Sequence, residues 1–354
     1  MKHDLTIIIP TYNVAPFVGQ CLDSIIKQTD FNQFEVLVIN DGSTDNTKSI
    51  VEKYTARYEN IHLYNTKNNG VSTARNIGIR AAMGQYISFV DPDDQVGIIN
   101  NNYIAESCEP IENMVLNRDY INPADRAPFG YDPDYFVRML DAAQTANADI
   151  AMGGKVTTYE NQSKIQSCTY YNPCVYDKSP ASMDARLRMA YRRESANFAV
   201  YRRDLINKHA LRFAPQMTLN EDILFCMSAV LHANAVVCVP NSLYWYRRRK
   251  KSLSSYTSDL EYKEKYTTAI LQCMSVFLNE LNQLPGYAAS YTYWTKYFSN
   301  LRCFSDDYWE NNFPSSACVT CHQKSCHECE HHCANRKTIQ KNLEFFAPFN
   351  DRQH

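Results

Sequence analysis

Three aspartates stand within four residues in Asp91-Pro92-Asp93-Asp94, directly after the apolar run Tyr86 to Val90. Acids so close repel one another, which makes the cluster costly as pure structure and relieved by a cation. Carboxylate oxygens are the hard ligands that Mg²⁺ or Mn²⁺ prefers, so Asp91, Asp93 and Asp94 are candidate metal ligands. Asp41 follows another apolar run, Phe34 to Ile39. From that position an acidic side chain in a nucleotide-binding strand–helix–strand unit reaches a ribose or base edge. An aspartate after a strand is also a common turn former, and it is the convergence of several that points to chemistry. Downstream, Arg247-Arg248-Arg249-Lys250-Lys251 places five cations in a row. Such a run suits phosphates or anionic lipid head groups, and equally a solvated surface.

The elements that must position these residues are legible from periodicity. Leu5 to Ile9, Phe34 to Ile39, Ile61 to Tyr64 and Tyr86 to Val90 read as strands. Between them, Pro16 to Gln28, Asp45 to Tyr58 and Val71 to Met83 read as amphipathic helices, with Pro16 at a first helical position and Ser43, Thr44 or Asp45 as caps. Continuous apolar strands separated by such helices predict a mostly parallel sheet covered on both faces. In an open sheet of this kind the ligand crevice lies outside the carboxyl ends of the strands, where Asp41 and the Asp91 cluster fall.

Residues 95–132 break the rhythm and read as an irregular insertion with one helix near Tyr103 to Asn117. Regularity returns with a helix at Asp134 to Ala146 and a strand at Asp149 to Val156. A second block follows: a helix, a strand near Asn197 to Tyr201, a helix, a helix at Glu221 to His232 and a strand at Ala235 to Val239. Tyr262 to Leu284 carries apolar residues at helical spacing. The expected organisation is a catalytic domain over 1–250 (halves 1–94 and 133–250 around the insertion), a helical extension over 251–312 and a Cys/His-rich tail over 313–354.

Composition narrows the classes. The chain has 354 residues, 36 Lys+Arg against 38 Asp+Glu, and so no basic field that would draw it onto nucleic acid. No run of 18 apolar residues occurs and the N-terminus leads straight into a strand, which predicts a cytoplasmic protein. With only ten glycines, and neither G-x-G-x-x-G nor G-x-x-x-x-G-K-[ST], a dinucleotide site or P-loop is disfavoured. A diphosphate could still be held through a cation.

Four segments together resemble the donor-binding half of family-2 glycosyltransferases with the GT-A fold. They are Ile7-Ile8-Ile9-Pro10-Thr11-Tyr12-Asn13, Asn40-Asp41-Gly42-Ser43-Thr44-Asp45, Asn69-Gly70-Val71-Ser72-Thr73-Ala74-Arg75-Asn76-Ile77-Gly78 and Phe89-Val90-Asp91-Pro92-Asp93-Asp94. The resemblance implies inverting transfer of a sugar from a nucleotide-diphosphate donor, commonly a UDP-sugar, with Mn²⁺ or Mg²⁺ at the Asp-x-Asp motif. By match, Pro10, Tyr12, Asn13 and Asp41 contact the nucleoside and Arg75 lies near the pyrophosphate or uracil. Asp91, Asp93 and Asp94 serve ribose, sugar and metal. Pro92 departs from the small residue usual there. Asn220-Glu221-Asp222-Ile223-Leu224-Phe225 is similar to the family's Glu-Asp motif, which makes Asp222 the general base beside Glu221, although both acids equally suit helix capping. At a helix N-terminus Asp222 is expected to be stabilised as the anion. Leu243-Tyr244-Trp245-Tyr246-Arg247-Arg248-Arg249-Lys250-Lys251-Ser252-Leu253-Ser254 resembles the family's Tyr-x-Arg segment followed by Ser, where Arg or Lys, Arg247 first, would close over the donor phosphates.

The implied acceptor is a hydroxyl of a glycan or lipid-linked carrier in cell-surface polysaccharide synthesis at the inner membrane face, with peripheral contact through Arg247 to Lys251. Two rivals remain: a nucleotidyltransferase, and a non-catalytic nucleotide-sugar-binding scaffold. The tail segment Cys318-x2-Cys321-x4-Cys326-x2-Cys329-x3-Cys333, interleaved with His322, His327, His331 and His332, offers nine soft ligands in 16 residues and fits a structural zinc site. Cys318, Cys321, Cys326 and His331 make one compact set, and Cys329 and Cys333 stay open as alternatives. The tail matches no catalytic part of the family.

Overall fold

A computed structural model describes residues 3–99, 110–111, 114–117, 130–159, 165–171, 174–193, 195–217, 219–249, 273 and 276–284. The chain divides into two compact units, one of residues 1–217 with 221–256 and one of residues 218–220 with 257–354.

The first unit opens with β1 (Leu5–Thr11), α1 (Val18–Ile26), β2 (Phe34–Asn40), α2 (Thr47–Thr55), β3 (Ile61–Asn65), α3 (Val71–Ala81) and β4 (Tyr86–Phe89). Strands β3, β2, β1 and β4 lie in that order and in parallel register, with Ile7 beside Val36 and Ser88. Every residue of β1, β2 and β4 is buried, which is why these strands are continuously apolar rather than alternating. Pro10 is tolerated in this central strand because β4 pairs only as far as Ile8, so its missing N–H lies beyond the two-sided ladder. Gly78 lets α3 lie against the sheet: a Cβ there would sit 2.4 Å from Ile8 Cγ2.

Two-residue strands β5 (Gln95–Val96), β6 (Ile98–Ile99), β7 (Pro110–Ile111) and β9 (Gly130–Tyr131) lie in and around the insertion, with β8 (Met114–Asn117) among them. The expected helix near Tyr103 to Asn117 is therefore corrected at its described residues. Met114–Asn117 is a strand because it pairs antiparallel with β11 (Ile165–Tyr171), and a strand partner outweighs local helix preference.

The remaining elements are α4 (Tyr135–Thr145), β10 (Ile150–Tyr159), β12 (Cys174–Tyr176), α5 (Pro180–Arg193), β13 (Ala199–Arg202), α6 (Arg203–Lys208), α7 (Glu221–His232) and β14 (Val236–Arg248). β13 is antiparallel to both β4 and β10 and joins the second block of the chain to the first in one mixed sheet. β14 runs parallel to β10 well past the expected end at Val239, because the β10–β14 register shifts between Met152 and Gly154 and the ladder resumes at Leu243. The helices before β3 start later than the sequence suggests: Ala15 to Phe17 form a turn, and α2 begins at Thr47. Asp45 does cap the start of α2, its Oδ1 accepting the Thr47 N–H at 2.9 Å, while Ser43 Oγ and Asp45 Oδ2 accept across the loop from the backbone N–H groups of Asn13 and Ala15.

In the second unit, residues 276–283 are helical, with Phe277, Leu278 and Leu281 buried, as the apolar spacing there predicts. The Cys/His-rich tail and its zinc reading lie outside the described residues, as do Lys250 and Lys251. Among the described residues no helix is long and apolar enough to cross a membrane.

Candidate active site

The end of β4 and the start of α7 meet at one arginine of α3. Arg75 on α3 is buried, and its guanidinium donates to Asp91 Oδ1 and Glu221 Oε1, each at 2.9 Å. Its third side is the Phe213 ring, 5.0 Å away, which stacks on Phe225 of α7. Burial alone would depress the Arg75 pKa, but the carboxylates of Asp91, Glu221 and Asp222 more than reverse that and hold it firmly charged. Asn76, next on α3, pins the Phe213 loop by exchanging two hydrogen bonds with the Phe213 backbone. The sequence match sets Arg75 near a pyrophosphate or uracil. Its guanidinium is already engaged on both forks, so within this structure it organises the carboxylates.

Asp91 is held on every side. Its Oδ2 accepts from Asn197 Nδ2 at 2.8 Å, and its backbone N–H donates to the Tyr244 hydroxyl at 3.0 Å. Asp93 pairs with Arg249 at 2.6 Å. Burial and the nearby Asp91 raise its pKa, and Arg249 pulls it back down. Asp94 is only 1% exposed and accepts the backbone N–H of Arg247 at 2.7 Å. Burial, Asp93 and Asp91 push its pKa well up. The three acids are thus not equivalent: Asp91 and Asp93 are partly exposed, whereas Asp94 ties the β4 end to β14. Among the described residues no three acidic, His or Cys side chains converge as a ready-made metal site. The surplus negative charge fits a divalent cation at Asp91 and Asp93. The geometry does not preassemble its cage.

Arg247 turns back onto α1, donating to Gln20 Oε1 at 2.6 Å, with its guanidinium 5.1 Å from the Phe17 ring. Arg249 lies over the same ring at 5.2 Å. Both therefore flank the acidic edge.

Asp222 opens α7 and accepts the Ile223 N–H at 2.9 Å. That bond lowers its pKa as a helix N-terminus should, yet the net effect is the reverse of the expected stabilised anion. Burial first, then Glu221 and Asp91, push it up to about 8 against the pull of Arg75. The loss of water and the neighbouring negative charges outweigh one amide dipole.

The residues that the resemblance sets beside a nucleoside are placed as follows. Asp41 is buried, its Oδ1 accepting from Thr66 Oγ1 and the Asn69 N–H and its Oδ2 from the Gly70 N–H. It thus fixes the loop that launches α3 and Arg75. Gly42 adopts φ +75° where a Cβ would meet the Asn68 amide at 2.8 Å. Asn13 Oδ1 accepts from the Thr44 and Asp45 backbone N–H groups, stapling the β1 turn to the β2 turn. Tyr12 beside it is 48% exposed, while Pro10 is buried within β1.

Sequence reading misses Asn197 and Tyr244 as part of this site. Asn197 carries no motif, and the signal is conformational: the next residue, Phe198, holds a left-handed φ of 61°, unusual for a bulky side chain. Its ring packs on Tyr244 at 4.7 Å, so the strained turn delivers Asn197 to Asp91.

Residues 6–98 match the model of glycosyl transferase family 2. The chain is 30% identical over 256 residues to the uncharacterized glycosyltransferase EpsJ of Bacillus subtilis (strain 168), across 71% of this chain and 62% of that protein. It is 24% identical over 284 residues to the poly(ribitol-phosphate) beta-N-acetylglucosaminyltransferase TarS of Staphylococcus aureus (strain MW2), across 78% of this chain and 42% of that one. The match thus spans less than two thirds of either relative. Its fold is similar to that of S. aureus TarS 1-349 in complex with UDP-GlcNAc, with a TM-score of 0.61 at 20% identity, covering 97% of this chain and 82% of that one.

Proposed function

Through residues 6–98 the chain belongs to glycosyl transferase family 2 and has the GT-A fold, and from that premise we propose that it transfers a sugar, with inversion, from a nucleotide-diphosphate donor to a hydroxyl group. The donor class is a UDP-sugar, and the acceptor a glycan or lipid-linked glycan of cell-surface polysaccharide assembly. TarS holds UDP-GlcNAc in its crystal structure, which makes that the first donor to test. The observation that carries the reading is the Arg75 bridge between Asp91 and Glu221, which brings the acidic strand end and the start of α7 to one place.

The reaction is a single displacement. The acceptor oxygen bonds to the anomeric carbon as the bond from that carbon to the diphosphate oxygen breaks. Asp222 takes the proton of the acceptor hydroxyl, and a carboxylate whose pKa is raised to about 8 is a better base near neutral pH than an ordinary one. Glu221 pairs with Arg75 at 2.9 Å and so holds the start of α7 against the end of β4. Arg247 and Arg249 face the charge that develops on the departing diphosphate. Tyr12, Asn13 and Asp41 border the nucleoside, with Pro10 shaping the strand beneath them. A divalent cation, when bound, would screen the diphosphate; Asp91 and Asp93 would hold it, with Asp94 behind them.

Thermal unfolding with UDP, UDP-GlcNAc, NAD or ATP, each with and without Mn²⁺, tests the reading. Stabilisation by UDP or its sugar that needs the cation is expected, and a preference for NAD or ATP would overturn it. Product formation by Asp222→Asn should fall by about 10²–10⁴ while UDP stabilisation persists. Full transfer by that variant removes Asp222 from the role of base, and a chain that binds UDP but transfers nothing in any form would be a scaffold.

A further inference from the structure

Outside the site, two cysteines face one another across an antiparallel pair of strands. Cys174 opens β12, and in the β12–β14 ladder its partner is Cys238. Residues directly opposite in such a ladder have Cα atoms about 4.5–5.5 Å apart with side chains on the same face, inside the span a disulfide bridges. The two thiols are hydrogen-bonded to each other, and Cys238 Sγ also contacts Met189 Sδ of α5 at 3.2 Å. Cys238 is 2% exposed, whereas Cys174 is partly open to solvent on a three-residue strand whose next residue, Val175, is 56% exposed.

We propose that Cys174 and Cys238 form a thiol–disulfide site that reacts with low-molecular-weight disulfides, Cys174 being the attacking thiol and Cys238 the resolving one. The Cys174 thiolate, its proton released to solvent, attacks one sulfur of the small disulfide and expels the other half as a thiolate. A mixed disulfide on Cys174 results. The Cys238 sulfur, losing its proton to solvent, then attacks the Cys174 sulfur and expels the second half. Two protein thiols are oxidised to one disulfide while the small disulfide is reduced to two thiols.

The hydrogen bond from Cys238 lowers the Cys174 pKa to about 7, where a thiolate is both populated and still nucleophilic. Cys21 shows the contrast: burial and the aspartates of the active site raise its pKa well above the usual thiol value. The bond would close the stretch of chain from 174 to 238, which contains Asn197, Glu221 and Asp222. It would also fasten β12 to the strand that continues to Tyr244 and Arg247. None of this depends on the sugar-transfer reading.

The test uses the full reduced chain with oxidised glutathione near pH 7.5, quenched with an alkylating agent and mapped by non-reducing proteolysis and mass spectrometry. The expected product is a peptide pair joined through Cys174 and Cys238, formed at least about tenfold faster than any adduct at Cys21. It should disappear with dithiothreitol and melt at a higher temperature than the reduced protein. Cys238→Ser should stop at glutathione on Cys174, and Cys174→Ser should leave Cys238 alkylated. Recovery of Cys174 and Cys238 as separately alkylated peptides from the wild-type chain, or Cys174 joined to another cysteine, overturns the proposal whatever the variants do.

Discussion

Asp222 is an acid whose folded pKa, about 8, lies above its ordinary 3.8. Between those values the folded chain holds a proton that the unfolded chain has released, so the stability this residue contributes is lost as pH rises through the window. Asp222→Asn should therefore leave the melting temperature unchanged near pH 4 and raise it by several degrees near pH 8, at about 2–4 °C per kcal/mol. The same substitution should abolish the basic rise of kcat/KM with pH that an unprotonated Asp222 requires. A variant that loses activity and gains no stability at pH 8 would show that Asp222 is not under this electrostatic load. Asn197 is 2% exposed and donates to Asp91, a placement that suits positioning that carboxylate. Asn197→Ala removes a hydrogen bond to a charged acceptor, typically about 1.5–3 kcal/mol, and steady-state kinetics should show kcat down by about 10–100-fold with a smaller change in KM. Asn197→Asp should be worse, because it sets a second carboxylate against Asp91, and equal behaviour of the two variants would contradict the positioning role.

At the scale of elements, α3 is what aligns Arg75 and Asn76, and its height over the sheet is set by Gly78 against Ile8. Gly78→Ala drives a Cβ to within 2.4 Å of Ile8 Cγ2. Overpacking of this sort costs about 1–3 kcal/mol, so denaturant titration should find a destabilised chain and activity should fall with it. Ile8→Ala removes the three atoms nearest the new Cβ. The double variant should accordingly be more stable than the sum of the two single effects predicts; strict additivity would mean that the contact is not what limits the approach. Strands β1, β2 and β4 were readable from their continuous apolar runs, and α7 from the acids that open it at Glu221. β8, β11 and β12 were not, because short polar or mixed strands take their identity from the neighbour they pair with.

For the whole molecule, the Arg75 bridge joins positions 75, 91 and 221, which are far apart in the chain and belong to the two blocks that β13 zips into one sheet. Arg75→Met leaves the largely buried Glu221, and the partly exposed Asp91, without their cation, for which the usual cost of breaking a buried pair, about 3–5 kcal/mol, is an upper bound. Urea unfolding should register that loss, and Arg75→Met combined with Asp91→Asn and Glu221→Gln should recover most of it. Failure to recover would place the cost in packing against Phe213 instead. The sequence by itself determined the parallel strands, the acids at their carboxyl ends and the family to which they point, since period and motif are local properties of a chain. Only the tertiary structure decided which of those acids face the crevice, that Asp94 is turned inward, and that Arg75 is committed to carboxylates. It also decided that Asp222 is raised and not lowered in pKa. Each of these depends on what burial removes and on which charges distant segments bring within a few ångströms, and neither is written in the spacing of the residues.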